Sequence, residues 1–174
     1  MTGSFSLREH TADVAVEATG SSPSAVFGAV GDGLAAAMCD DIPEAGGETF
    51  EVEIEAESLD GLLYDYLGRL IYERDVRLVL PVDNDATVTV PDGEAGCSDA
   101  DDDEAGGSNA DDDEAGGSDA DGGDGETGAY RVSASARGVP LADVDAREVK
   151  AVTYSEIVVE ERDGEWYAYV VFDV

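Results

Sequence analysis

Ser4-Phe-Ser-Leu-Arg-Glu-His-Thr-Ala-Asp-Val-Ala-Val-Glu-Ala18 decides how this chain folds. Ser4–Arg8 and Val14–Ala18 each alternate in the two-residue period of a half-buried strand, so the segment reads as two strands flanking a polar step. That step, Glu9-His10-Thr11-Ala12-Asp13, gathers two carboxylates, an imidazole and a hydroxyl inside core-like sequence. A second lone acid, Asp173, ends the apolar run at the other terminus, beside the terminal carboxylate of Val174.

Outward from this segment, Ser22-Pro23 is a helix start, a capping hydroxyl followed by the residue suited to the first helical turn. Val26, Phe27, Val30, Leu34, Ala37 and Met38 then recur at helical spacing. Gly28, Gly31 and Gly33 weaken that helix and suit close packing on a sheet. Thr49–Ala56 alternates as a strand. Ser58 opens a second helix with Leu62, Leu63, Tyr66, Leu67, Leu70 and Ile71 as its apolar stripe, and Asp60, Asp65, Arg69 and Glu73 on the wetter side. Val76–Val82 and Ala86–Val90 read as two strands joined at Asp83-Asn84-Asp85, with Pro81 favouring an edge or an end. Ala129–Gly138, Glu148–Glu161 and Trp166–Val174 complete the pattern, the last two joined by the turn signal Asp163-Gly164. Eight short strands and two helices predict a single α+β domain, mostly antiparallel β-sheet, built from residues 1–91 and 129–174.

Residues 92–128 differ in kind. Ser98-Asp-Ala-Asp-Asp-Asp-Glu-Ala-Gly-Gly107 is followed by the near-copy Ser108–Gly117 and a decayed third copy from Ser118. With almost nothing to bury, this low-complexity insertion is expected to be disordered. Its alternating acids do not make a calcium loop, because Glu104 and Ala110 stand where an EF-hand needs Gly and Glu.

The formal net charge is −33, from 42 acids and 9 bases. The insertion holds 15 of those acids, so the remainder is still strongly acidic and the charge belongs to the whole surface. A halophilic protein is the simplest account, since at molar salt the Debye length falls to about 3 Å and self-repulsion is screened. Without a basic patch, direct nucleic-acid binding is not expected. Two cysteines, Cys39 and Cys97, do not make a disulfide framework, and a reduced cytoplasmic setting is expected. No apolar run is long enough for a membrane span, and no signal peptide is visible.

Phosphate-cradling loops, nucleophile elbows and zinc spacings are absent, and the single histidine excludes paired-histidine metal sites within one chain. What remains is a scattered carboxylate set. If the strands carrying Asp13 and Asp173 are neighbours, these two carboxylates and the Val174 terminus can converge. An oxygen-only set suits Ca²⁺, Mg²⁺ or Mn²⁺ over zinc. The residues alone favour a capped turn at Asp13 and a polar strand end at Asp173 over a metal site.

Four blocks in this order resemble the archease family: Glu9-His-Thr-Ala-Asp-Val14, Leu59-Asp-Gly-Leu-Leu-Tyr-Asp-Tyr-Leu-Gly-Arg-Leu-Ile-Tyr72, Val149-Lys-Ala-Val-Thr-Tyr154 and Val171-Phe-Asp-Val174. The resemblance implies an accessory protein, not an enzyme. Its partner would be the GTP-dependent tRNA-splicing RNA ligase, whose guanylation and multiple turnover it would promote by protein–protein contact. It also implies a metal site on Asp13, Asp173 and Val174. His10 is a candidate to hydrogen-bond a metal-bound carboxylate, or an ordinary hydrogen-bonded histidine at a strand edge, and Glu9 a further ligand or a solvent-facing acid. Lys150 and Tyr154 are candidate partner contacts or ordinary strand residues. Two positions depart from the family pattern: Ser155 stands where a histidine usually follows the Val149–Tyr154 block, and Ala142–Arg147 lacks the histidine often found before it. Two other functions compete: a general chaperone or adaptor for RNA-modifying enzymes, and a small metal-dependent hydrolase using the same carboxylates.

Overall fold

The computed structural model describes residues 3–10, 13–91 and 128–174, with the backbone alone for residues 8–10. The expectation of disorder for the acidic insertion therefore lies outside the described residues, apart from its last glycine. Among the described residues, seven antiparallel strands form two sheets. One has the order β1-β2-β7-β6, from Ser4–His10, Asp13–Gly20, Glu165–Asp173 and Ala151–Arg162. The other has the order β3-β5-β4, from Glu48–Ala56, Tyr130–Pro140 and Val79–Thr89. Helices α1 (Pro23–Met38) and α2 (Leu59–Arg77) each touch both sheets. The apolar faces of both sheets and both helices therefore share one core, centred on Phe27, Leu34, Leu62, Tyr66, Leu70 and Phe172.

Both helix starts form as their residues dictate. Ser22 and Ser58 sit in extended backbone, and each hydroxyl accepts a hydrogen bond from the backbone N–H three residues on, at 3.1 Å. The glycines of α1 are what let it lie so close to its neighbours. A Cβ on Gly28 would stand 2.9 Å from the Asn84 carbonyl oxygen, and one on Gly33 only 2.5 Å from a Val16 methyl.

Two expectations are corrected. Val76 and Arg77 belong to α2, not to a strand, because Arg77 closes an i,i+4 ion pair with Glu73. The helix ends one residue later, at Leu78, which takes the left-handed conformation (φ 56°) while its N–H bonds to the Arg74 carbonyl. Secondly, Asp83-Asn84-Asp85 does not separate two strands. It is a bulge within one continuous β4, where the register against β5 shifts between Val82 and Asp85. Asp83 adopts a left-handed φ of 52°, and Asn84 turns its side chain into the core. Its Oδ1 accepts from the Tyr66 hydroxyl at 3.3 Å, and its Nδ2 donates to Asp32 at 3.0 Å. With those bonds made, a polar triplet need not leave the sheet. Pro81 stands on the edge strand, as expected, since β4 pairs only with β5.

Glu73 also departs from its expected wet position. It is buried between Arg69 (2.8 Å) and Arg77. The hydrogen bond from Arg77 holds its carboxyl below the ordinary carboxylate value, against the opposing pull of burial, with Arg69 assisting. A depressed value contributes stability that is present above the unfolded carboxylate range and lost as pH falls through the folded one. Glu73→Gln is expected to cost about 1 kcal/mol near neutrality, the half-exposed arginines limiting the loss. It should also flatten the acid limb of stability against pH, as read by denaturant unfolding at fixed salt.

Candidate functional site

The sheet topology brings the two ends of the described chain together. β2 and β7 are neighbours, and their register sets Asp13 directly opposite Asp173. The row continues sideways, with His10 of β1 paired to Asp13 and Ala151 of β6 paired to Asp173. Directly opposed residues of paired strands project to one face with their Cβ atoms about 4.5–5.5 Å apart. That face lies away from the helices, because the alternating positions Val14, Val16 and Ala18 pair with Phe172, Val170 and Ala168 on the core side. Asp13 is half-buried, Asp173 exposed, and half-buried Val174 follows immediately.

The backbone beneath this row is fixed from two directions. The Lys150 N–H donates to the Asp173 carbonyl at 2.8 Å. One residue earlier, buried Arg74 of α2 donates from Nη1 to the Val149 carbonyl at 3.0 Å and to the Met38 sulfur at 3.3 Å, tying the end of α1 to the start of β6. Sequence reasoning did not single out Arg74. A lone arginine between apolar helix positions was the available signal, but its acceptor is a carbonyl 75 residues away in sequence.

Like charges directly opposite one another destabilise a strand pair. Among the described residues no Lys or Arg forms an ion pair with Asp13 or Asp173. Nor does any group of three or more His, Cys, Asp or Glu gather as a ready cation cage among them. The oxygen donors the register brings together are the side-chain carboxylates of Asp13 and Asp173, with Val174 next along the chain. This set fits a hard cation that keeps part of its water, and does not fit zinc.

The remaining expected positions divide. Glu9 pairs through its backbone with Val14 and His10 with Asp13, but their side chains lie outside the described residues. Lys150 and Tyr154 are exposed, on the far side of Asp173 from β2, and the Tyr154 ring meets Tyr64 of α2 edge-on at 5.1 Å. Ser155 lies in the stretch of β6 where the register against β7 shifts, between Thr153 and Val158. Trp166 packs against the core. No helix among the described residues is long and apolar enough to cross a membrane, which leaves β-barrels unaddressed.

The chain matches the Archease protein family (MTH1598/TM1083) over residues 5–102 and 113–174, leaving out only the middle of the acidic insertion and the extreme N-terminus. It is 31% identical over 171 residues to the protein archease of Thermococcus gammatolerans, covering 95% of each chain. To that of Thermococcus kodakarensis it is 29% identical over 170 residues, again with 95% of each covered. Two solved structures share the fold. The solution structure of Methanobacterium thermoautotrophicum protein 1598 superposes with a TM-score of 0.64 at 21% identity, covering 98% of each chain. The crystal structure of a Thermotoga maritima protein described as an archease and possible chaperone gives 0.52 at 17%, over 96% of this chain and 94% of that one. These relatives are named as proteins or as a possible chaperone, not as enzymes. With the family matched along nearly its whole length and the fold shared, the chain belongs to the archease family.

Proposed function

We propose that this protein is a cation-dependent accessory factor that activates the tRNA-splicing RNA ligase, promoting the ligase's guanylation and multiple turnover. One observation carries the reading: the register that sets Asp13 against Asp173, at the very positions the family resemblance implicates. Asp13, Asp173 and Val174 would hold the cation, Ca²⁺ first and Mg²⁺ or Mn²⁺ as alternatives. When bound, it supplies positive charge that relieves the repulsion between the opposed carboxylates. The chain's own part is positional. Arg74 and the Lys150–Asp173 hydrogen bond keep the ends of β6 and β7 in place, so the carboxylate row is presented on a fixed edge. The partner contact is protein–protein, in keeping with a sequence of 42 acids and 9 bases that offers no basic patch to a phosphate backbone. A halophilic cytoplasm is the setting that this charge supports.

The decisive experiment is multiple-turnover RNA ligation by purified ligase with GTP, with and without this protein. Stimulation of ligase guanylation is expected. No stimulation at any salt or divalent cation tested would sink the proposal. The description of the Thermotoga maritima relative as a possible chaperone favours a second reading, a general adaptor. That reading predicts several enzyme partners and indifference to substitution of Asp13 and Asp173.

The same assay tests the acidic insertion. It is flanked by β4 and β5, paired antiparallel with Thr89 opposite Arg131, in the sheet that does not carry the carboxylate row. Pro91 and Gly128 stand against one another, so a short turn can close the strands. Replacing residues 93–127 by such a turn is expected to leave stimulation within about twofold (under 0.5 kcal/mol) and to reduce solubility at high salt. A large loss of stimulation would show instead that the repeat contacts the ligase.

A further inference from the structure

Between α2 and β6 runs a groove of about 340 Å³, outside the carboxylate row. Its floor is apolar, formed by Ile71 and Val152. Tyr64 forms one wall, braced by Tyr154. At Gly68 the wall is missing, since a Cβ there would meet nothing within 4 Å. Tyr64 and Tyr154 are 37% and 58% exposed.

The charge at this groove is as unusual as its apolarity. Lys150, which lines it, is the chain's only lysine. Every arginine whose side chain is described has an acid within 4 Å: Arg69, Arg74, Arg77, Arg131, Arg137, Arg147 and Arg162. Lys150 alone among the described bases has none, in a protein with 42 acids. A lone ammonium beside an open apolar slot is complementary to a carboxylate attached to an apolar side chain. Asp65, on the opposite lip, can accept a backbone N–H from an extended segment lying in the groove.

We infer that this groove is the docking site for a segment of the partner protein that carries an aromatic or branched aliphatic side chain next to an Asp, a Glu or a terminal carboxylate. The apolar side chain fills the slot over Gly68, Ile71 and Val152, and the carboxylate meets Lys150. Naming the partner as the RNA ligase rests on the function proposed above; the chemistry of the segment does not. A nucleotide stacked on the tyrosines would find one cation where a phosphate tract needs several. The groove also adjoins the carboxylate row, since Lys150 donates to the Asp173 carbonyl and Ala151 pairs with Asp173. A segment seated here therefore brings its protein against the cation edge.

Gly68→Phe tests the groove without disturbing the core, because it fills open space and replaces a helical glycine. Lys150→Glu tests the charge. The folded state of each is checked by its melting temperature, expected at or above that of the wild type for Gly68→Phe. Wild-type protein is used to select from a random peptide library displayed on phage, at molar KCl. Enrichment of sequences pairing an aromatic or branched residue with an acid is expected. That enrichment should vanish for Gly68→Phe, and for Lys150→Glu it should lose the acid. Binding to purified ligase is expected to weaken tenfold or more in both variants. No enrichment, the same enrichment with Gly68→Phe, or ligase binding unchanged in Gly68→Phe would each overturn the inference. Binding of a single-stranded RNA oligonucleotide that Gly68→Phe abolishes would overturn it in favour of a nucleic-acid site. If the wild type fails to bind the ligase while the enrichment appears and is lost in Gly68→Phe, the ligase reading fails and the groove stands.

Discussion

Asp13→Ala and Asp173→Ala are each expected to abolish stimulation of ligase guanylation and turnover while leaving the protein folded. Neither carboxylate carries a structural load: Asp173 is exposed, and Asp13 forms no ion pair among the described residues. Replacing one of two opposed acids removes a repulsion between paired strands, so the melting temperature without divalent cation should stay level or rise slightly. Cation affinity should behave in the opposite way. Loss even of an outer-shell hydrogen-bond partner commonly costs about 10–100-fold in metal affinity, and loss of a direct ligand should cost at least as much. Titration calorimetry with Ca²⁺ reads this directly. In wild type, saturating cation should raise the melting temperature by mass action, and that increment should vanish in both variants. Variants that bind cation and stimulate the ligase as wild type does would exclude Asp13 and Asp173 from the site.

Gly33→Ala is expected to lower stability by about 1–3 kcal/mol, whereas Gly68→Ala should raise it by up to about 1 kcal/mol. The helix-propensity gain is the same in both, so the difference isolates packing. At Gly33 the added methyl would come within 2.5 Å of Val16, a β-branched side chain in β2 with little freedom to turn aside. At Gly28 the obstruction is the Asn84 backbone itself, and at Gly31 it is the Asn84 side chain and the Tyr66 hydroxyl. Gly28→Ala should therefore destabilise at least as much as Gly33→Ala. Equilibrium unfolding of the three variants at one salt concentration tests the order. Because Val16 lies three residues from Asp13 on β2, Gly33→Ala should also weaken cation binding more than Gly68→Ala does.

The readable parts of the fold were those set by local chemistry. Ser22-Pro23 and Ser58 marked both helix starts, the two-residue alternation marked the strands around the Glu9–Asp13 step, and Pro81 marked an edge. The misread parts were those where a distant residue decides. Asp83-Asn84-Asp85 has the composition of a turn and became a bulge, because Asp32 and Tyr66 satisfy Asn84 from two helices. Glu73 looked solvated and is buried, because arginines one turn away on either side neutralise it.

The candidate site divides along the same line. By itself the sequence determined which residues carry chemistry: Asp13 and Asp173 stand out because acids at those places interrupt otherwise apolar strands, and residue type is a local property. That they face one another was decided only by the tertiary structure. Strand order and register depend on how the apolar faces of β2 and β7 bury against α1, and pairing Val14 with Phe172 and Val16 with Val170 leaves Asp13 no opposite on β7 but Asp173. The groove beside Lys150 came from the tertiary structure alone, since Gly68 and Lys150 become neighbours only when α2 packs on β6.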